Sequence, residues 1–134
     1  MRLMQTLSSI FVKYFTFIVV GIAASLTHYA VAMFSYYWWD NIAATNSNWL
    51  GFLAAFPVSY VGHRLWTFQG TTTKHQQAIF KFFIVALFSF LGNQSLLWLG
   101  LQTTPLPFWL LLGIVMLLIA LITYVLSKHW VFDQ

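Results

Sequence analysis

The sequence predicts an all-α integral membrane protein with four transmembrane helices, and three observations support this fold class. Of the 134 residues, 60% are hydrophobic and only 6% are charged, whereas a soluble domain carries about 25% charged residues. The mean hydropathy is +0.79. The apolar residues are concentrated in four runs of about 20 residues, the length needed to cross a bilayer. This composition excludes a soluble enzyme and, since cysteine is absent, a disulfide-stabilised secreted domain.

The four apolar runs occupy residues 14–36, 43–61, 79–101 and 108–126. Inside hydrocarbon a backbone must satisfy its own hydrogen bonds, so runs of this length are predicted to be helices. Short connections at residues 37–42 and 102–107 join the first two helices and the last two. A longer polar loop, residues 67–78, links the two resulting hairpins.

Lysine and arginine predict the orientation of these helices. All six precede helix 1, flank or lie within the middle loop, or follow helix 4: Arg2, Lys13, Arg64, Lys74, Lys81 and Lys128. Because cytoplasmic segments are enriched in Lys and Arg, we expect both termini and the middle loop on the cytoplasmic side of the cell inner membrane. The net charge of +4 is interpreted as a topology signal and a source of contacts to anionic membrane lipid, and not as a nucleic-acid surface.

The two halves of the chain resemble each other. The stretch FVKYF at residues 11–15 matches IFKFF at 79–83, and YVGHRLWTF at 60–68 matches YVLSKHWVF at 124–132. Each half therefore reads as a basic aromatic start, two helices and an aromatic ending that contains a cation. Two helices return the chain to its starting side, so the halves are predicted to be parallel-topology repeats.

This repeat predicts a single domain, residues 1–134, that contains repeat 1 at about 11–69 and repeat 2 at about 79–133. One alternative for helix 1 is a cleaved signal peptide, because its start is basic and Ala30-Val-Ala32 resembles a cleavage site. A repeat that includes helix 1 argues against its removal.

The paired endings, HRLWTF at residues 63–68 and SKHWVF at 127–132, resemble those of the GtrA-like family of small four-helix membrane proteins. One departure is His63, which stands where the family often has Asn. The resemblance implies a role in cell-surface polysaccharide synthesis, through flipping of a polyprenyl-phosphate-linked sugar across the cytoplasmic membrane. Undecaprenyl phosphate is the expected carrier. The resemblance also implies glycosyltransferase partners, because related helices occur fused to polyprenyl-phosphate glycosyltransferases.

Polar residues near mid-bilayer are the candidates for a sugar path. Ser25 lies twelve residues beyond Lys13, and Asn93 lies twelve beyond Lys81, which places both about 18 Å from those lysines. His28 and Gln94 are at similar depths. Polar groups at this depth usually face the bundle interior or a wet cavity. Hydrogen bonding between helices is the alternative interpretation of the same residues.

Cations and tryptophans at the cytoplasmic helix ends are the candidates for headgroup binding. Arg64 and Lys128 correspond in the repeat, as do Lys13 and Lys81, and all four could grip a lipid-linked phosphate. Trp66 and Trp130 could stack on a sugar ring. The alternative interpretations are topology anchors for the cations and an interfacial aromatic belt for the tryptophans.

Three functions compete at this point. A lipid-linked sugar translocase is favoured, and a non-catalytic accessory or assembly subunit of a membrane glycosyltransferase complex is the alternative. A small cation-coupled exporter is disfavoured because the only acids, Asp40 and Asp133, lie outside the apolar runs. No catalytic residues, metal or cofactor are expected, since no acid–base pair, metal-ligand cluster or phosphate loop is visible. Four helices barely enclose a path, so we expect a homodimer or a higher homo-oligomer.

Overall fold

The computed structural model describes the backbone of residues 1–67 and 75–131, and in the second range the side chains of residues 76–77, 80 and 83–122. Four α-helices follow one another: α1 (Arg2–Trp38), α2 (Ala44–Gly62), α3 (His75–Thr103) and α4 (Phe108–Val131). A π-helical segment, His63–Thr67, directly follows α2. The described part of the chain contains no strand, so the four apolar runs are confirmed as four helices.

The two short connections lie at the same end of the bundle, because the rings of Tyr36 and Phe108 are 4.6 Å apart. We call this the connection end and the opposite one the terminal end. Asn41 turns the first connection with φ of 65°, a left-handed conformation that asparagine tolerates better than most residues. In the second connection the Pro107 carbonyl accepts from the amides of Leu110 and Leu111 in the first turn of α4.

Helices α1 and α2 pack antiparallel at very short range, and two glycines permit this approach. A Cβ atom on Gly51 would lie 2.5 Å from the Cδ2 atom and the carbonyl oxygen of His28. A Cβ atom on Gly62 would lie 2.7 Å from a methyl group of Val20. Small residues at helix contacts are typical of membrane bundles, where close packing replaces the hydrophobic effect as the driving force.

The hydrophobic core joins α1, α3 and α4 near the connection end. It consists of Ala32, Leu97, Phe108, Leu111, Leu112 and Val115. The Tyr29 hydroxyl donates to the Trp109 carbonyl oxygen at 2.7 Å, which attaches α1 to the first turn of α4. The two hairpins are therefore held together at this end.

Toward the terminal end, the described side chains of α3 and α4 are exposed or half-buried. All buried side chains described in α3 and α4 lie between Phe90 and Val115. Beyond them an open groove of about 420 Å³ lies between α2 and α3, lined by Phe56, Gln76, Phe80 and Phe83. We call it the phenylalanine groove. Within the described residues, the packing between the hairpins is therefore concentrated near the connection end.

Helix bounds differ from the sequence-based prediction by four residues or more at three places. Helix α1 begins at Arg2 instead of residue 14, α3 begins at His75 instead of residue 79, and α4 ends at Val131 instead of residue 126. Two helical stretches within the described residues, Arg2–Trp38 and Phe83–Thr103, are long and apolar enough to span a membrane, and Phe108–Ile122 is a shorter apolar stretch. The four-span count, the repeat relationship and the side on which the termini lie stay predictions.

Gly51→Ala should destabilise the fold because the new methyl group would overlap His28. Overpacking of this kind costs about 1–3 kcal/mol. Gly21→Ala is the matched control, since a Cβ there meets no atom within 4 Å and helix propensity alone favours alanine. Thermal unfolding in detergent should show a lower midpoint for Gly51→Ala and an unchanged or higher one for Gly21→Ala. Equal midpoints would contradict the close α1–α2 packing.

Candidate functional site

A buried polar network connects three helices, and Asn48 of α2 is its centre. The Asn48 side chain is fully buried, at 0% exposure. Its Oδ1 atom lies 2.7 Å from His28 Nε2 on α1. Its Nδ2 group donates to Asn93 Oδ1 and to Gln94 Oε1 on α3, both at 2.7 Å. One carboxamide therefore ties α1, α2 and α3 together at one level of the bundle.

A backbone carbonyl sets the direction of every hydrogen bond in this network. Gln94 Nε2 donates to the Thr45 carbonyl oxygen at 3.0 Å, and a carbonyl oxygen can only accept. Gln94 therefore presents Oε1 to Asn48, which must offer its Nδ2 group there. Asn48 Oδ1 is then left to accept from His28, so the His28 ring carries a proton on Nε2.

The network leaves donors for a ligand. Asn93 is 5% exposed, and its Oδ1 atom is used by Asn48. Among the described residues, its Nδ2 group has no hydrogen-bond partner. This group is not fully buried, since among the described residues the fully buried side-chain atom without a partner is Ser47 Oγ. Water or a ligand that supplies acceptor oxygens can therefore reach it.

Aromatic rings surround the network on the groove side. The Phe90 ring lies 6.1 Å from the His28 ring. It is also 4.5 Å from each of the rings of Phe52 and Trp49. Apolar walls with a few convergent polar groups are typical of small-molecule sites.

A second group of candidate residues lies in the π-helical segment at the terminal end. His63 is buried, and its ring stacks on Phe17 of α1 with a centroid distance of 4.8 Å. His63 Nδ1 lies 3.1 Å from Thr67 Oγ1, which closes the segment on itself. Arg64 follows His63 and is half-buried. Single-turn π-helices are rare and occur frequently at functional sites.

Two of the predicted headgroup-binding cations lie at the same level of the bundle. Lys13 precedes Phe17 by one helical turn on the same face of α1, and Phe17 contacts the residue before Arg64. Lys13 is exposed, whereas Arg64 is half-buried. The backbones of Lys81 and Lys128 lie in α3 and α4, but their side chains, like that of Trp130, are outside the described set.

Three of the residues predicted to line a sugar path lie close together in the structure, and Ser25 lies apart from them. His28, Asn93 and Gln94 meet through Asn48. Ser25 does not join them, because its side chain is exposed on the outer surface of α1. It precedes His28 by three residues, which rotates it about 60° away from the bundle-facing direction. The predicted sugar path that includes both Ser25 and Asn93 is therefore not formed within one chain.

Trp66 also lies away from the network. Its side chain is 57% exposed within the π-helical segment. This position fits an aromatic ring at a membrane interface, and stacking on a sugar stays a prediction. Within the described residues there is no group of three or more side chains of the metal-ligating types.

Asn48 is the functional candidate that sequence reasoning missed. It lies four residues into α2, and its neighbours Thr45, Asn46 and Ser47 are also polar. A polar cluster at the end of an apolar run looks like the edge of a span. One signal was available in the sequence. Asn48 is another side-chain amide within an apolar run, and it could have been matched with His28 and Asn93, which lie in two other apolar runs.

The helices and this site define a small all-helical membrane protein. The comparisons give its family: residues 16–132 match the GtrA/DPMS transmembrane domain. Because the match covers most of the 134 residues, the chain belongs to that family. No curated protein and no solved structure matches it significantly. Family membership supports a role in membrane processes that involve lipid-linked sugars.

Asn48→Ala should destabilise the bundle because it leaves His28, Asn93 and Gln94 without a shared partner. We expect a loss of about 2 kcal/mol, from unsatisfied buried groups that cost about 1–3 kcal/mol. Asn46→Ala is the control, since Asn46 lies in the same turn but is exposed. Unfolding in a graded detergent series measures both. Equal losses would mean that Asn48 does not organise the fold.

Proposed function

We propose that the protein translocates a polyprenyl-phosphate-linked monosaccharide across the cytoplasmic membrane for modification of cell-surface polysaccharide. The observation that carries the proposal is the asymmetry of the bundle. A polar network and a packed core join the hairpins near the connection end, whereas Arg64 and an apolar groove lie toward the terminal end. A lipid-linked sugar has three chemically different parts, and each finds a suitable surface.

The phenylalanine groove suits the prenyl chain. Three of its four lining residues are phenylalanine, and the groove is shallow and open. Its volume of about 420 Å³ falls in the range of about 300–1,000 Å³ that is usual for ligand sites. A chain that lies along this groove stays in contact with lipid while its headgroup enters between the hairpins.

Arg64 suits the phosphate. A guanidinium group binds phosphate in a bidentate way and stays charged at all relevant pH values. Lys13 lies at the same level of the bundle, and the helices of Lys81 and Lys128 lead to the same end. The positive-inside rule favours a cytoplasmic location for this end.

The amide network suits the sugar. Asn93 lies ten residues before the end of α3, about 15 Å from the connection end and so near mid-bilayer. Sugar hydroxyls can accept from Asn93 Nδ2 and can replace the side-chain partners of Asn48 one for one. Exchange of one hydrogen bond for another costs little free energy. A sugar can therefore displace the side chains of the network, whereas an apolar group cannot.

The proposed function also includes an oligomer and a partner enzyme. A homodimer or higher homo-oligomer would enclose the headgroup more fully than one bundle, and a glycosyltransferase would supply or consume the lipid-linked sugar. One observation favours the accessory-subunit alternative. Ser25 is exposed and a Cβ on Gly21 would meet no atom within 4 Å, and such small-residue faces associate with helices of other subunits.

Purified protein in liposomes tests the function directly. Wild type should accelerate inversion of a short-chain prenyl-phosphate sugar, and protein-free liposomes should not. If the reconstituted protein leaves inversion unchanged while a partner glycosyltransferase requires it for activity, the accessory-subunit function replaces translocation. Labelling of a Thr72→Cys variant by an impermeant reagent in intact cells would contradict the proposed orientation.

Arg64→Ala should lower prenyl-phosphate binding by about 10-fold to 100-fold, since hydrogen bonds to charged groups contribute about 1.5–3 kcal/mol. Arg64→Lys keeps the positive charge but loses the two parallel N–H donors of the guanidinium group, so this variant should bind with intermediate affinity. Lys74→Ala removes the same charge from the middle loop and is the control. Binding of a fluorescent prenyl phosphate measures all three. Equal losses in Arg64→Ala and Lys74→Ala would show that the cations act only as diffuse charge.

Phe80→Trp should slow translocation by narrowing the phenylalanine groove, in which Phe80 is a lining residue. A loss of about 10-fold corresponds to about 1.4 kcal/mol in the barrier. Phe88→Trp is the control, because Phe88 is similarly exposed on the same helix, at 71% against 65%, but lies outside the groove. The rate of inversion in liposomes measures both. A similar rate in the two variants would exclude the groove as the path of the chain.

A further inference from the structure

The side chains of the first thirteen residues lie on the surface of the protein. Every side chain from Met1 to Phe15 is exposed, although this stretch is a continuous part of α1. Its apolar side chains are strongly exposed, for example 76% for Leu3 and 71% for Phe11. Apolar area of this kind is unfavourable in water.

The side chains of this stretch are sorted into two opposite arcs of the helix. At 100° per residue, one arc of about 120° contains the apolar residues Leu3, Met4, Leu7, Ile10, Phe11 and Tyr14. The opposite arc of about 100° contains the polar residues Arg2, Gln5, Thr6, Ser9 and Lys13. Ser8 and Val12 lie between the arcs. Both cations of the stretch are therefore on one face, and the first acidic residue in the chain is Asp40.

The length of α1 gives the position of this surface relative to the bilayer. Its 37 residues make a rod of about 55 Å, against a hydrocarbon thickness of about 30 Å. Membrane helices tilt by up to about 40°, at which a 55 Å rod rises by about 42 Å. That is the thickness of the bilayer with both headgroup layers, about 40–45 Å. The first turns of α1 therefore reach a headgroup layer.

We propose that residues 2–13 cross the headgroup layer at the terminal end and its boundary with the acyl chains, as an amphipathic segment that binds anionic lipid. The apolar arc of Leu3, Leu7 and Phe11 contacts the acyl chains, and the arc with Arg2 and Lys13 contacts lipid phosphates. Segments with this division of charge bind membrane interfaces and prefer anionic lipid. The segment sets the tilt of α1 and collects anionic lipid beside Arg64. It does so whether or not the protein translocates a sugar.

Single-cysteine variants test this position, because the chain has no cysteine of its own. Leu7→Cys and Phe11→Cys report on the apolar arc, and Gln5→Cys and Ser9→Cys are the matched controls on the polar arc. Each purified variant receives a nitroxide label and is reconstituted in vesicles of phosphatidylcholine and phosphatidylglycerol. Accessibility is measured to oxygen, which partitions into acyl chains, and to a water-soluble nickel complex.

The oxygen-to-nickel accessibility ratio should be at least about threefold higher on the apolar arc than on the polar arc. Vesicles of phosphatidylcholine alone, or Arg2→Gln in mixed vesicles, should reduce this contrast. Equal nickel accessibility at all four sites would overturn the proposal, because the segment would then stand in water. Spin–spin broadening at Leu7→Cys, with exclusion of both reagents, would also overturn it in favour of a second copy. A contrast that does not change with lipid charge would overturn the role of anionic lipid.

Discussion

A buried carboxamide in an apolar bundle must find partners for its N–H and C=O groups, and this constraint organises the protein. Asn48 meets it by accepting from His28 on α1 and donating to Asn93 and Gln94 on α3. Because an unpaired buried amide costs about 1–3 kcal/mol, the three helices cannot separate at this level without a replacement partner. The bond from Gln94 to the Thr45 carbonyl gives the network one direction.

The same constraint divides the bundle into two functional parts. On one side of the network, Ala32, Leu97 and Leu112 form a packed core that excludes ligands. On the other side lie the phenylalanine groove and Arg64. In the function proposed above, a path that ends at this network would discriminate by chemistry, since only a ligand with its own hydrogen-bonding groups can take the place of the side chains there. This is the property that a sugar headgroup has and a prenyl chain lacks.

Hydropathy was sufficient to predict the helices where the apolar run and the helix coincide, as in α2, which begins at Ala44 instead of residue 43. It was insufficient for α1, because residues 2–13 are amphipathic and do not form an unbroken apolar run. His28, Asn93 and Gln94 were predicted as a site because each interrupts an apolar run at depth. Counting residues gives depth but no rotation about the helix axis, so Ser25 was placed in the path although it faces outward. Asn48 was missed because a polar residue one turn inside a helix end is ordinary at a membrane interface.

The account depends most directly on the coupling between Asn48 and Asn93, and a double-mutant cycle measures it. The free energies of unfolding of wild type, Asn48→Ala, Asn93→Ala and the double variant are compared in one detergent. Residues that share a buried hydrogen bond show coupling energies of about 0.5–2 kcal/mol. The account predicts a coupling in that range, with the double variant less destabilised than the sum of the two single variants. Additive losses would show that the amides act independently, and the packing of the hairpins near the connection end would then need another explanation.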